Sequence, residues 1–109
     1  MAGDKVVKVS DDNFESEVLQ SDKPVLVDFT ATWCGPCRMV SPLVDQLAGE
    51  YEGRAKVAKV DVDECPATAR RYSIRGVPTI MVLKGGEVVN KIVGAVPKTK
   101  LVEMIDEAL

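Results

Sequence analysis

The run Val25-Leu26-Val27-Asp28-Phe29 is apolar at every position but one. A strand with one wet face alternates apolar and polar residues, whereas a near-continuous apolar run suits a strand covered on both faces. Such a strand belongs at the centre of a sheet with helices packed on each side. The remaining patterns supply those helices in the order β-α-β-α-β-α-β-β-α. The fold class is therefore α/β, with a mostly parallel sheet and an antiparallel portion from the final hairpin. At 109 residues the chain fits one domain, residues 1–109, with a core that needs no staples.

Local signals place the elements. Residues 6–9 read as a short strand. Ser10-Asp11-Asp12-Asn13 is rich in helix N-cap residues, and Phe14, Val18 and Leu19 then recur at helical spacing. Ser21-Asp22-Lys23-Pro24 breaks that helix before the central strand, residues 25–29. A second helix is predicted to begin near Cys34 and end near Gly53. Its buried face would hold Met39, Val40, Leu43, Val44, Leu47, Ala48 and Tyr51. Pro42 lies inside it, where a missing backbone donor and a crowded preceding turn should kink it. Residues 55–62 alternate as a strand, and Pro66 opens a short helix through Tyr72. Thr79–Lys84 and Glu87–Val93 flank Gly85-Gly86, a hairpin signal. Pro97 opens the last helix, with Leu101, Val102, Ile105 and Ala108 inward.

Composition removes several functions. There is no histidine, so Ser-His-Asp and Cys-His nucleophiles and His-containing zinc sites are absent. No Gly-x-Gly-x-x-Gly or phosphate-binding loop occurs, and no flavin or nicotinamide site is found, so no cofactor is expected. A net charge of −3, without a basic stripe, argues against a nucleic-acid partner. No apolar run is long enough for a signal-peptide core or a membrane span, so the expected location is the cytoplasm, where thiols stay reduced.

Against that background, Trp33-Cys34-Gly35-Pro36-Cys37 holds two of the three cysteines. In a reducing compartment a Cys-x-x-Cys is redox-active or metal-binding before it is structural. Zinc would need two further ligands, and Cys65 is the only other thiol. The pair follows a buried strand, where open α/β sheets place their sites. At a helix N-terminus, free amides and the dipole favour an anion, so Cys34 is expected to ionise readily and act as nucleophile. Cys37, one turn further in and more shielded, would resolve the mixed disulfide. Gly35 would let another backbone approach closely, and Pro36 would preorganise the first turn. An inert buried pair is the structural alternative.

The WCGPC motif, the in-helix Pro42 and Arg75-Gly76-Val77-Pro78-Thr79 together resemble the thioredoxin family. The likeness covers essentially the whole chain, including GEVVNKIVGA. It implies a central mixed five-stranded sheet flanked by four helices, and a protein-disulfide reductase that cycles between a Cys34–Cys37 disulfide and its dithiol. It also implies partners: oxidised proteins as substrates and an NADPH-dependent thioredoxin reductase as donor, or a ferredoxin-linked one in photosynthetic organisms. The chain is expected to work as a monomer.

The resemblance assigns further roles. Asp28 matches the family's buried carboxylate behind the cysteines, and Lys59 matches its usual partner. A buried, unpaired carboxylate has a raised pKa, suited to exchanging a proton with Cys37. A purely structural Asp28–Lys59 ion pair is the alternative. Val77-Pro78 matches a cis-proline loop that would turn the Val77 backbone toward an extended substrate. Trp33, Gly35, Pro36, Gly76, Val77, Pro78, Gly94 and Ala95 would form the docking surface, although Gly94 also reads as a strand-end turn. Thr30 departs from the family pattern, standing where many bacterial members carry an aromatic residue. Cys65 follows Asp61-Val62-Asp63-Glu64, whose carboxylates disfavour a thiolate, so it is expected to be unreactive.

Overall fold

The computed structural model describes residues 5–109; residues 1–4, part of the segment read for an export signal and of the single domain, lie outside the described residues. The chain runs β1 (Val7–Val9), a π-helical segment (Glu15–Leu19), β2 (Val25–Thr30) and α1 (Cys37–Glu50). It continues through β3 (Lys56–Asp61), α2 (Pro66–Arg71), β4 (Thr79–Lys84), β5 (Glu87–Val93) and α3 (Lys98–Asp106). The strands form one sheet in the order β1-β3-β2-β4-β5. β1, β3 and β2 are parallel, whereas β4 pairs antiparallel with both β2 and β5. This is the mixed five-stranded sheet with four helical segments of the thioredoxin fold.

The apolar run does occupy the sheet centre, with Val25, Leu26, Val27 and Phe29 fully buried. Alternation sends them to two different layers. Leu26 packs with Val40, Val44 and Leu47 of α1 and Leu101, Met104 and Ile105 of α3. Val25, Val27 and Phe29 pack on the other face with Phe14, Val18 and the Tyr72 ring. Each such side chain removed from water contributes about 1.5–3 kcal/mol. The central strand is thereby clamped from both sides, which fixes where its carboxyl end delivers the chain.

Local chemistry explains the departures from prediction. The first helix is short: Gln20 N–H donates to Glu15 O at 2.9 Å, the five-residue spacing of a π-turn. Ahead of it, Ser10 N–H donates to Asn13 Oδ1 at 2.7 Å and Asn13 N–H to Ser10 Oγ at 3.3 Å. The predicted buried face of α1 holds for Val40, Val44, Leu47, Ala48 and Tyr51, but Met39 is 72% exposed. Met39 lies with Leu43 one stripe to the side, and Leu43 is only half-buried. In α3, Val102 is half-buried in the same way, while Leu101, Ile105 and Ala108 are inward.

The hairpin has its predicted limits, because Gly85 (φ +61°) and Gly86 (φ +83°) adopt the positive φ values that a two-residue turn demands. No helix among the described residues is long and apolar enough to cross a membrane.

Candidate active site

β2 ends at Thr30, and the connection to α1 carries Trp33 through Pro36. α1 begins at Cys37 rather than near Cys34, because Gly35 and Pro36 form the turn that leads into it. Their carbonyls accept the first helical bonds, from Arg38 N–H at 3.0 Å and Met39 N–H at 3.1 Å. Cys34 and Cys37 are joined as a disulfide, with Cα atoms 5.4 Å apart. Cys37 N–H points at Cys34 Sγ, 3.2 Å away. The same amide can receive the negative charge that Cys34 carries once the bond is reduced, aided by the N-terminus of α1.

Cys37 is not the more shielded of the two: Cys34 is 3% and Cys37 4% exposed. Ala31 clusters with the two cysteines, and Val62 and Val77 pack against that cluster, so the disulfide has apolar surroundings. The pair is distinguished by hydrogen bonding rather than by depth.

A groove opens beside the disulfide, lined by Trp33, Val62, Ile74, Arg75, Gly76 and Val77. Trp33 is 67% exposed and forms one wall. Its Nε1–H donates to Asp63 Oδ2 at 2.8 Å, tying that wall to the turn after β3. Asp63 is in turn fixed by its own N–H, which donates to Asp61 Oδ1 at 2.8 Å. Opposite, the Val77-Pro78 peptide bond is cis. Thr79 Oγ1 donates to Gly76 O at 2.6 Å and Gly94 N–H donates to Pro78 O at 2.8 Å, bracing the loop. Val77's own backbone N–H and C=O make no hydrogen bond among the described residues. They are free to pair with an extended chain.

Of the expected docking residues, Trp33, Gly35, Pro36, Gly76 and Ala95 are exposed, and Val77 and Gly94 are half-buried. Pro78 is buried and supports the loop from beneath instead of offering surface. Gly94 has φ +106°, so the strand-end turn reading holds for it. Sequence reasoning missed Val62, Ile74 and Arg75 in the groove. It also missed Val93, 62% exposed and beside Gly76, where an added Cβ would stand 3.8 Å from Val93 Cγ1. Its place as the last apolar residue before Gly94 was the available signal.

On β2, Asp28 is 1% exposed, and its Oδ1 has no hydrogen-bond partner among the described residues. Burial pushes its carboxyl up to about 6 and the Asp45 charge adds to this, while the Lys59 charge opposes it. Asp28 and Lys59 are register partners on β2 and β3. The expected pairing is nevertheless not made. Lys59 Nζ donates to Asp45 Oδ1 at 2.9 Å and to Ser41 Oγ, both on α1. A salt bridge to a half-exposed carboxylate lets the ammonium keep part of its hydration, which a pair with fully buried Asp28 would remove. Thr30 is half-buried and, with Thr32, Lys8, Lys59 and Asp61, lines a polar hollow at the carboxyl ends of β1, β3 and β2.

Cys65 stands apart from this chemistry. It is buried, and its thiol donates to Val9 O at 3.2 Å. Burial, followed by the charges of Asp11, Asp61 and Glu64, pushes the thiol up, as the unreactive reading expects.

The thioredoxin family model matches residues 5–107. Thioredoxin 1 of Nostoc sp. is 56% identical over 102 residues, covering 94% of this chain and 95% of that protein. The thioredoxin of Synechocystis sp. is 54% identical over 102 residues, with 94% and 95% covered. The chloroplastic M-type thioredoxin of Chlamydomonas reinhardtii is 52% identical over 101 residues, 93% of this chain and 72% of that protein. With its Cys34–Cys37 disulfide at the head of α1, this chain belongs to the thioredoxin family and is a protein thiol-disulfide oxidoreductase.

Proposed function

We propose that the chain carries electrons from an NADPH-dependent thioredoxin reductase to oxidised proteins in the cytoplasm, as a single-domain monomer with no bound cofactor. The observation that carries this reading is the groove of Trp33, Val62, Ile74, Gly76 and Val77 beside the disulfide, with Val77's backbone left unpaired. A substrate strand laid along Val77 would bring its own disulfide over Cys34. Trp33, Gly35, Pro36, Gly76, Gly94, Ala95 and Val93 would bound the contact, with Pro78 holding Val77 in place.

The Cys34 thiolate then attacks one substrate sulfur, and the other leaves and takes a proton from solvent. Cys37 gives its proton to the Asp28 carboxylate and attacks Cys34 Sγ, which closes the Cys34–Cys37 bond and releases the second substrate thiolate to be protonated. Asp28 suits this task because burial makes it a stronger base than an exposed carboxylate. Support for a monomer comes from β5, an edge strand whose ladder to β4 is irregular at Val82/Leu83. Such irregularities disfavour edge-to-edge pairing.

The first test equilibrates the Cys34–Cys37 pair in thiol redox buffers. A midpoint well below the glutathione pool supports a reductase; one near or above it reverses the direction of electron flow. Reduction of insulin disulfides with NADPH and a purified thioredoxin reductase then tests the donor. Failure there, with turnover intact on dithiothreitol, would refute the donor assignment alone.

A further inference from the structure

The ammonium nearest to Asp28 is held by someone else. Lys59 is Asp28's neighbour in register across β2 and β3, and cross-strand neighbours lie within side-chain reach of each other. Yet its Nζ sits on Asp45 Oδ1 at 2.9 Å and on Ser41 Oγ. Ser41 and Asp45 are four residues apart on α1 and therefore share one face of it. They form a two-point seat for one cation, on the helix whose first residue is Cys37. Asp28 Oδ1 is left with no partner.

We infer that Ser41 and Asp45 are positioning residues for the dithiol chemistry: by seating the Lys59 ammonium on α1 they keep Asp28 unpaired, and so basic enough to take the Cys37 proton. This rests on the reading of Asp28 as that proton's acceptor. The charged groups facing Asp28 are few. β3 contributes Lys59 and α1 contributes Asp45, while β4 sets uncharged Ile80 opposite. Lys8 lies one strand further out, level with Lys59. Moving one ammonium between two carboxylates therefore decides how strongly Asp28 holds a proton. An opposite charge brought against a carboxylate favours its ionised form, which weakens it as a base.

In the step concerned, the Cys37 S–H proton passes to an Asp28 oxygen, Cys37 Sγ bonds to Cys34 Sγ, and the Cys34–substrate bond breaks. The dithiol loses two electrons, and the substrate's disulfide gains them. The departing substrate thiolate takes a proton from solvent or from Asp28. No other oxidant is involved.

The test is carboxyl NMR titration of Asp28 in the intact oxidised protein. Relative to wild type, near 6, Asp45→Asn should lower the midpoint by about one pH unit or more as Lys59 turns to Asp28. Ser41→Ala should lower it in the same direction without any change of charge, and Ser41→Thr, which keeps the hydroxyl, should restore it. In a Lys59→Met background, Asp45→Asn should move the midpoint much less, since only the direct charge effect remains. An equal Asp45→Asn shift with and without Lys59 would overturn the proposal, and an unmoved Ser41→Ala midpoint would remove Ser41 from it. The pH dependence of insulin reduction, measured on the same variants, tests the reading beneath. If the Asp28 midpoint moves while the rate profile does not, the seat is real and Asp28 is not the proton acceptor.

Discussion

Replacing Asp28 with asparagine should stabilise the protein at neutral pH, by an amount that depends on pH in a defined way. Asp28 is raised from an ordinary 3.8 to about 6 by burial. One pH unit is worth 1.36 kcal/mol, so the displacement amounts to about 3 kcal/mol between the charged and neutral carboxyl. The sign follows from linkage. For an acid raised on folding, the stability is fully present below the unfolded value, 3.8, and is lost as pH rises through the folded one, about 6. Wild type therefore carries the full penalty at pH 7 and almost none at pH 3.5.

Asparagine never ionises and never incurs that penalty. It does bury amide hydrogens, at a cost of roughly 1–3 kcal/mol that is independent of pH. The decisive quantity is therefore the change with pH and not the absolute gain. Denaturant unfolding of both proteins, at intervals from pH 3.5 to pH 8, measures it. The advantage of the variant should grow by about 3 kcal/mol between pH 3.5 and pH 7 and then level off. Carboxylates elsewhere titrate in both proteins and cancel. A difference that stays flat with pH would refute the claim that Asp28 is charged, buried and unpaired.

Other consequences of the geometry can be measured directly. Asp63→Ala should free the Trp33 indole, raising KM for a protein disulfide roughly fivefold, as expected for about 1 kcal/mol of lost hydrogen bonding, with kcat unchanged. Trp33 is the only tryptophan, so its emission should change in parallel; unchanged emission would mean that the hydrogen bond does not hold the ring. Tyr51→Phe should cost roughly 1 kcal/mol in denaturant unfolding, because Tyr51 OH donates to Asp106 Oδ1 at 2.6 Å between the end of α1 and α3. Gly86→Ala should destabilise more than Gly85→Ala. Both have positive φ, but only at Gly86 would the new Cβ meet backbone, Leu19 O at 3.2 Å. About 1–2 kcal/mol from left-handed strain is common to both, and equal losses would contradict the contact.

What could be read from the sequence is what local chemistry decides. Gly85-Gly86 supplies the hairpin with its limits, because glycine adopts the positive φ that both turn positions require without a Cβ clash. The apolar run at residues 25–29 finds the sheet centre because only a doubly covered strand can hold it. The start of α1 was misplaced for a reason of the same kind: Gly35 and Pro36 suit a turn as well as a first helical turn, and the hydrogen bonds choose between them. The groove was only half visible. Trp33 and Val77 are flagged by their motifs, whereas Val62 and Val93 reach the same surface from two other parts of the chain, and Ile74 stands just ahead of the second motif with no signal of its own.

Asp28 marks the limit most sharply. A carboxylate among valines announces itself in the sequence, and its burial and raised proton affinity follow from elementary solvation. Its partner does not follow. Lys59 is adjacent in register, and register alone would pair the two. The choice is made by Ser41 and Asp45, whose reach to Lys59 depends on how α1 lies across the sheet. That placement is set by Val40, Val44 and Leu47 packing against Leu26, a matter of volume and not of charge. The protonation chemistry of the site is thus governed by an apolar contact that carries no chemical signal of its own.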